Sequence, residues 1–375
     1  MKKVVIAIDS FKGCLPSAEA GKAAAEGIRS VYPECEVICL PIADGGEGML
    51  DVLIMATNGQ EVPISAHDPL MRWCNTYYGI SENGETAFIE MASISGLPLV
   101  PPERRNPMLT TTYGTGEIIR DALERGCRNF IIGIGGSATN DAGLGMLQAL
   151  GFRFSDKEGK KVGTGCGEVL IKVAHIDSTF VHPALNSCRF TVACDVQNPF
   201  YGPEGAAYVF APQKGADREM VEALDAGLQN FAEVIRHTTG KAISHHPGAG
   251  AAGGMGGSLL AFLNAELKPG IQLMLEALDF SNKIKSADLI ITGEGKADRQ
   301  TLMGKGPSGI LAEARKQNIP VILLAGNIED SDELQQAGFE GVFSVNPPFI
   351  SLEEAMRPEV ARKNIQQTVE SICKK

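Results

Sequence analysis

Residues 129–145 read NFIIGIGGSATNDAGLG, an apolar run that stops at glycines and hydroxyls and then restarts as a helix. This pattern commits the chain to an α/β arrangement. A buried strand delivers the backbone to a sheet edge, glycines allow close approach, and the next helix turns its positive end toward an oxyanion. Ser137 and Thr139 add hydroxyl donors, while Asn140 and Asp141 add an amide and a carboxylate at the first turn. Gly135, Gly136, Ser137, Thr139 and Asn140 are therefore candidate binders of a phosphate or carboxylate. The competing structural reading is a plain strand-to-helix turn capped by Asn or Asp.

The loop alone does not name its ligand. Gly133, Gly135 and Ala138 satisfy the dinucleotide pattern G-x-G-x-x-G/A, and Asp156 follows at about the expected spacing of ~20 residues. A nicotinamide-dependent hydroxy-acid oxidoreductase is thus one reading. Against it, Asp141 sets a negative charge where a bare pyrophosphate should sit. A site that brings Mg²⁺ with its phosphates tolerates that carboxylate better, so Asp141 is also a candidate Mg²⁺ ligand.

Strands and helices alternate at both ends of the chain. The apolar run 4–8 predicts a doubly buried strand, followed by a helix over 17–31 with Ser17 as its cap, a strand over 36–40 and a helix over 47–56. The last hundred residues repeat the theme, with strands at 288–292, 319–325 and 341–345 and helices at 307–317 and 359–372. Such alternation predicts one open, Rossmann-like parallel sheet built from both termini. The middle differs. Segments 74–80 and 86–91 read as a hairpin about Asn83-Gly84, 189–194 as a strand, and 217–237 as a long amphipathic helix. The expected division is a discontinuous domain of residues 1–65 and 276–375 with an inserted α/β domain at 66–275. A length of 375 residues suits about two domains.

Composition excludes some functions. A formal net charge of −11 argues against broad binding to nucleic acid or anionic membranes. The nine cysteines form no C-x-x-C pair and read as small buried hydrophobes of a reducing compartment. The apolar run after Lys2 and Lys3 is too short for a signal peptide or a membrane span, so the expected location is the cytoplasm.

In open α/β sheets ligands bind beyond the carboxyl ends of the strands, and four polar clusters fall there. DSFKG (9–13) supplies Asp9, Ser10 and Lys12; ADGGEG (43–48) supplies Asp44, Gly45, Gly46 and Glu47. CDVQNP (194–199) places Asp195 after an apolar strand. The segment 292–309 carries Gly293, Glu294, Lys296, Asp298, Arg299 and Lys305. Each is explicable alone as a polar loop or a cap; four at one edge point to ligand chemistry. The G-x-G-x-x-G at 248–253 follows SHHP rather than a strand, so it reads as a hinge or cradling loop before a helix over 258–267. The adjacent His245 and His246 read as exposed loop residues. No G-x-S-x-G elbow is present to support a serine hydrolase.

In this order, DSFKG, ADGGEG, DPLMR (68–72), TYGTGE (112–117), GGSATNDAG, CDVQNP, VFAPQKGA (209–216) and TGEGKADRQT resemble the signatures of the bacterial glycerate kinase family, across essentially the whole chain. Met71, Ala142 and Ala211 stand where that family's pattern suggests glycine. The resemblance implies a flavodoxin-like domain and an inserted α/β domain whose cleft holds the site. It also implies ATP and D-glycerate as substrates, Mg²⁺ as cofactor, and 2-phosphoglycerate as product. Phosphoryl transfer needs positioning, charge neutralisation and a group that takes the hydroxyl proton. On that basis Lys12 and Lys305 are read as a cationic clamp, and Ser137, Thr139 and Asn140 as the phosphate or carboxylate cradle. Asp195 is read as general base, Arg72 as a partner of the substrate carboxylate, and Asp141 and Asp298 as Mg²⁺ ligands. Asp9, Ser10, Asp44, Gly45, Gly46, Gly293 and Glu294 complete the expected set. The other readings are the oxidoreductase and a non-catalytic binder of nucleotides or sugar acids.

Overall fold

The computed structural model describes residues 1–43 and 48–374. The chain divides into two compact units, one made of Met1–Asp44 and Gly270–Lys375, the other of Gly45–Pro269.

The first unit opens with β1 (Lys3–Ile8) and β2 (Glu36–Cys39). The run VVIAI is buried throughout, as a central parallel strand with helices on both faces requires. Between β1 and β2 the helix Ser17–Val31 lays its alanines inward, and Gly27 allows the closing helix Pro358–Cys373 to cross it; a Cβ there would stand 2.5 Å from the Gln366 carbonyl. The cap of the first helix is Pro16, not Ser17. The Ser17 hydroxyl is withdrawn from that role because it donates to the Ile8 carbonyl (2.6 Å) and accepts from the Ile42 N–H (3.0 Å), tying the ends of two strands together.

The second unit contributes β3 (Gln60–His67), β4 (Trp73–Ile80), β5 (Thr86–Glu90), β6 (Asn129–Gly133), β7 (Arg153–Ser155), β8 (His175–Asp177), β9 (Arg189–Ala193) and β10 (Glu266–Lys268). The chain then returns to the first unit with β11 (Leu289–Ala297), β12 (Val321–Ile328) and β13 (Gly341–Ser344). The first unit's sheet runs β13-β12-β11-β1-β2, every pair parallel. Counted within that unit, the order is 2-1-3-4-5, the flavodoxin-like doubly wound arrangement. The second unit's six strands run β10-β9-β6-β5-β4-β3, parallel from β10 to β5 and antiparallel at β4 and β3. β7 and β8 form a separate ribbon. The chain is thus a Rossmann/flavodoxin-like domain formed by both termini, with a second α/β domain inserted.

The inserted unit begins at 45 and ends at 269, rather than at 66 and 275. β3 pairs with β4 along its whole length, from Gln60↔Ile80 to His67↔Trp73, and the side chain of Ile54 in the preceding helix Met49–Ala56 rests against Gly79 of β4. β3 is an edge strand, where Pro63 is tolerated, and its weak alternation hides it in the sequence. The helix expected over 258–267 is Met255–Phe262 instead. Asn264 takes a left-handed conformation (φ 49°), and the chain leaves as β10 to pair with β9.

The long helix expected over 217–237 runs Arg218–Thr239 and is capped at both ends. Asp217 accepts from the Met220 N–H, and Gly240 closes the helix at φ 73°. Among the described residues no helix is long and apolar enough to cross a membrane, and all nine cysteines are free thiols.

Candidate active site

The topological switch point of the first sheet lies between β1 and β11, where the strand order reverses, and ligands in such folds bind at that edge. β1 ends at Ile8, paired with Gly293, so Asp9 and Glu294 emerge side by side. Gly293 keeps the neighbouring strand close; a Cβ there would meet the Leu324 carbonyl at 2.5 Å. A cavity of about 340 Å³ opens at this point, with Asp9, Ser10, Lys12, Glu294, Lys296 and Lys305 on its polar side and Cys14, Val345, Leu352 and Met356 on its apolar side. The structure therefore brings together six residues singled out from two separate stretches of sequence, 9–13 and 292–309.

Local structure explains how they are held. Asp9 is buried, and its Oδ1 accepts the Ser10 N–H at 2.6 Å. Glu294 Oε1 accepts from the Thr301 hydroxyl at 2.6 Å. Lys305 occupies the cap position of helix Gly306–Lys316, whose first turn carries Pro307. Asp298 caps the short turn Arg299–Leu302, with Oδ1 on the Gln300 N–H (2.8 Å) and its own N–H on the Thr301 hydroxyl (3.0 Å). Its Oδ2 faces Lys296 Nζ at 3.6 Å, and Lys296 also pairs with Glu329 at 2.9 Å. Asp44, Gly45 and Gly46, with Glu47, lie outside the described residues.

The second unit holds the glycine loop, at the carboxyl end of β6. Gly135 and Gly136 are exposed, and Gly136 has φ 71°, a conformation that excludes bulky side chains. Its carbonyl accepts from the Leu97 N–H (2.9 Å), and Ala138 is fixed through its N–H to Ser95 and its carbonyl to the Thr110 hydroxyl. Thr139 and Asn140 are fully buried, yet Thr139 Oγ1 and both polar atoms of the Asn140 amide have no hydrogen-bond partner among the described residues. Buried polar groups left in this state are unusual and suit a ligand that completes them.

Asp141 departs from its expected role as a Mg²⁺ ligand. It is fully buried; Oδ2 accepts from the Thr112 N–H (2.8 Å), the Thr112 hydroxyl (2.7 Å) and the Gly145 N–H (3.2 Å), and Oδ1 from the Gly143 N–H (3.2 Å). Four donors saturate a carboxylate. Burial pushes its carboxyl upward against the pull of these donors. The helix expected to aim its N-terminus at a ligand is only Leu144–Ala149. Its leading N–H groups go to Asp141 and, from Met146, to Thr112 Oγ1. Asp141 thus fills the anion position itself and braces the turn.

Two residues missed in the sequence complete this region. Thr112 is one. The other is Lys214, fully buried, whose ammonium donates to Ser137 Oγ (2.7 Å) and to the Thr139 carbonyl (2.6 Å). Burial draws its pKa down to about 7, with Asp141 opposing. A single lysine in VFAPQKGA gives no spacing signal that would mark it as internal.

The glycine run 248–257 is no mobile hinge but a close-packed platform. A Cβ on Gly253 would stand 2.2 Å from the Thr139 carbonyl and 2.5 Å from Asn140 Cα, and one on Gly250 would stand 2.2 Å from the Pro199 carbonyl. The Ala142 N–H donates to the Gly253 carbonyl, and Ser258 Oγ to the Ala142 carbonyl. The loop and the segment after β9 therefore rest on one support. Asp195 is exposed there, two residues after β9, and Gly133↔Ala193 pairing sets it at the same sheet edge as the loop.

Arg72 is not free to reach a substrate as expected. Its Nε donates to Asp68 Oδ2 (2.7 Å) and its Nη2 to the Leu99 carbonyl (3.0 Å), locking the turn 68–72. Asp156 accepts the N–H groups of Glu158 and Lys160 in an exposed turn, which accounts for its carboxylate without a ribose. Among the described residues no group of three or more His, Cys, Asp or Glu is placed to hold a metal.

Comparison with known proteins agrees with the site's chemistry. The sequence profile of the glycerate kinase family matches residues 4–375. The chain is 46% identical to a glycerate kinase of Bacillus subtilis (strain 168), over 99% of this chain and 97% of that protein. It is 47% identical to a glycerate 2-kinase of Escherichia coli (strain K12), over 95% and 93%. A crystal structure assigned as a glycerate kinase 2 from Salmonella typhimurium LT2 superposes with a TM-score of 0.90 at 43% identity, covering 100% of this chain and 97% of that one.

Proposed function

Because the chain belongs to the glycerate kinase family, we propose that it transfers the γ-phosphoryl group of ATP to the 2-hydroxyl of D-glycerate, releasing ADP and 2-phosphoglycerate, with Mg²⁺ bound to the nucleotide. The observation that carries this reading is the cavity at the switch point, where lysines and carboxylates from β1, β11 and the 306–316 helix share about 340 Å³ with an apolar wall. Lys12 and Lys305 neutralise phosphoryl oxygens there. In the glycine loop, Ser137, the orphaned hydroxyl of Thr139 and the amide of Asn140 receive an anionic oxygen of one substrate. The hydroxyl oxygen bonds to phosphorus as the bond to the ADP oxygen breaks, and Asp195 takes the hydroxyl proton.

Mg²⁺ usually keeps one or two protein carboxylates and takes its other ligands from phosphates and water. Glu294, which lines the cavity, and Asp298, whose Oδ2 faces Lys296 Nζ at 3.6 Å, are the carboxylates that would fill that partial role. When bound, the ion neutralises phosphoryl charge. Cytoplasmic location follows the same family reading.

Incubation with ATP, Mg²⁺ and D-glycerate tests the proposal. ADP should form only with the acid present, and the product's phosphorus should couple to a methine proton. Coupling to methylene protons would reassign the reaction to the 3-hydroxyl. No ADP above background would remove the reading.

A further inference from the structure

Lys214 contributes to no step above, yet its ammonium is buried beneath the glycine loop and spends two hydrogen bonds on it, to Ser137 Oγ and to the Thr139 carbonyl. A serine hydroxyl has one proton and two acceptor sites. While the ammonium donates into one of them, the Ser137 proton cannot point toward Lys214 and must be offered elsewhere. Ser137 stands at the boundary between exposed Gly135–Gly136 and buried Ala138–Asn140, with no acceptor for its own proton among the described residues. We propose that Lys214 is a positioning residue of the glycine loop: it orients Ser137 as an obligate donor to a bound anionic oxygen, phosphoryl or carboxylate, and pins Thr139 so that the unpartnered Thr139 hydroxyl and Asn140 amide stay beside it.

The surroundings favour this over a purely structural ammonium. Both of its bonds go to the loop, to two neutral oxygens that flank the unpartnered groups, and Asp141 acts on it without a direct hydrogen bond. Asp141, from the turn after the loop, is the charged group acting on it; the loop itself presents neutral oxygens. A neutral Lys214 could accept the Ser137 proton, and the loop would then lose its outward donor. Burial brings that state within reach, near pH 7.

The inference rests on the loop being an anion site of the proposed reaction. The test is a double-mutant cycle of Ser137→Ala and Lys214→Met, reading kcat and KM for ATP and for D-glycerate separately. Each single variant should lower kcat/KM for one substrate by roughly 10- to 100-fold, the worth of a hydrogen bond to a charged group. The double variant should lose little more than Lys214→Met alone, since that substitution already removes the orientation of the Ser137 hydroxyl. A KM effect on ATP assigns the oxygen to a phosphoryl group, and one on glycerate to the carboxylate. Multiplicative losses would overturn the proposal. If wild-type protein turns over neither substrate, the functional reading fails instead, and the same cycle read on inorganic phosphate binding by calorimetry still tests Lys214. Should Lys214→Met not fold, pH profiles of wild type and Ser137→Ala decide. Wild-type kcat/KM should fall above about pH 7 relative to Ser137→Ala, and parallel profiles would overturn the proposal.

Discussion

Asp195 is exposed, one residue beyond buried Cys194 and two beyond the end of β9, so a substrate can reach it without distortion of the sheet. A positioned base contributes roughly 10²–10⁴ in rate. Asp195→Asn keeps shape but cannot take a proton; kcat should fall by about that factor, glycerate KM should stay near wild type, and added Mg²⁺ should not restore the rate. Rescue by Mg²⁺ would make it a metal ligand. Met71 and Ala142, which stand where the family resemblance suggests glycine, both adopt left-handed conformations, at φ 57° and 51°. Ala211, the third such position, has φ −70° and carries no strain. A non-glycine residue at a left-handed position such as 71 or 142 costs about 1–2 kcal/mol, partly offset by glycine's freedom in the unfolded chain. Met71 is 39% exposed, so little packing is lost on truncation. Met71→Gly should therefore raise stability by about 0.5–1 kcal/mol, read as a higher urea midpoint; an unchanged or lower midpoint would show that the Asp68–Arg72 turn already absorbs the strain.

At the scale of elements, two glycines separate backbone conformation from close packing. Gly240 and Gly253 have similar φ values, 73° and 66°, but a Cβ on Gly240 meets nothing within 4 Å while one on Gly253 meets the Thr139 carbonyl at 2.2 Å. Gly240→Ala should cost about 1 kcal/mol of stability and leave turnover intact. Gly253→Ala must displace the glycine loop, so turnover should collapse even where the protein remains folded; normal kinetics would detach the loop from the reaction. The two lysines belong to this scale too, since each is delivered by an element's end. Lys12→Ala and Lys305→Ala should each lower kcat by roughly 10²–10³, the usual effect of removing one pre-organised charge. What the sequence disclosed follows the same division. Apolar runs and strand-end clusters such as DSFKG announce themselves locally, and they led to Asp9, Lys12, Glu294 and Lys305. Asp141 misled because a carboxylate meant for Mg²⁺ and one meant for Thr112 look alike until the threonine arrives from 29 residues away. Lys214 reaches Ser137 across 77 residues, a contact that no local pattern encodes.

At the scale of the whole molecule, the first unit is assembled from sequence ends that the inserted unit keeps far apart. β1 pairs with β11 in the register Val4↔Leu289 to Ile8↔Gly293, a separation of 285 residues at each pair. The sheet edge that carries the cavity therefore cannot form until the chain has closed a very long loop, whose entropy grows slowly with length but whose search is slow. Nevertheless the unit has its own core, including Ile6, Ile8, Ala24, Ile28, Ile291, Leu324 and Val369, built from its own strands and helices. Its sheet takes no strand from the residues between 45 and 269. Joining residue 44 to residue 270 through a flexible glycine-serine linker should thus give a protein that unfolds cooperatively and retains α/β circular dichroism. It should also refold faster than the full chain, because β1 meets β11 across a far shorter loop. Phosphoryl transfer should be absent, since Asp195 and the glycine loop are gone. A molten product that binds hydrophobic dye without a cooperative transition would show instead that the first unit's core depends on the inserted one.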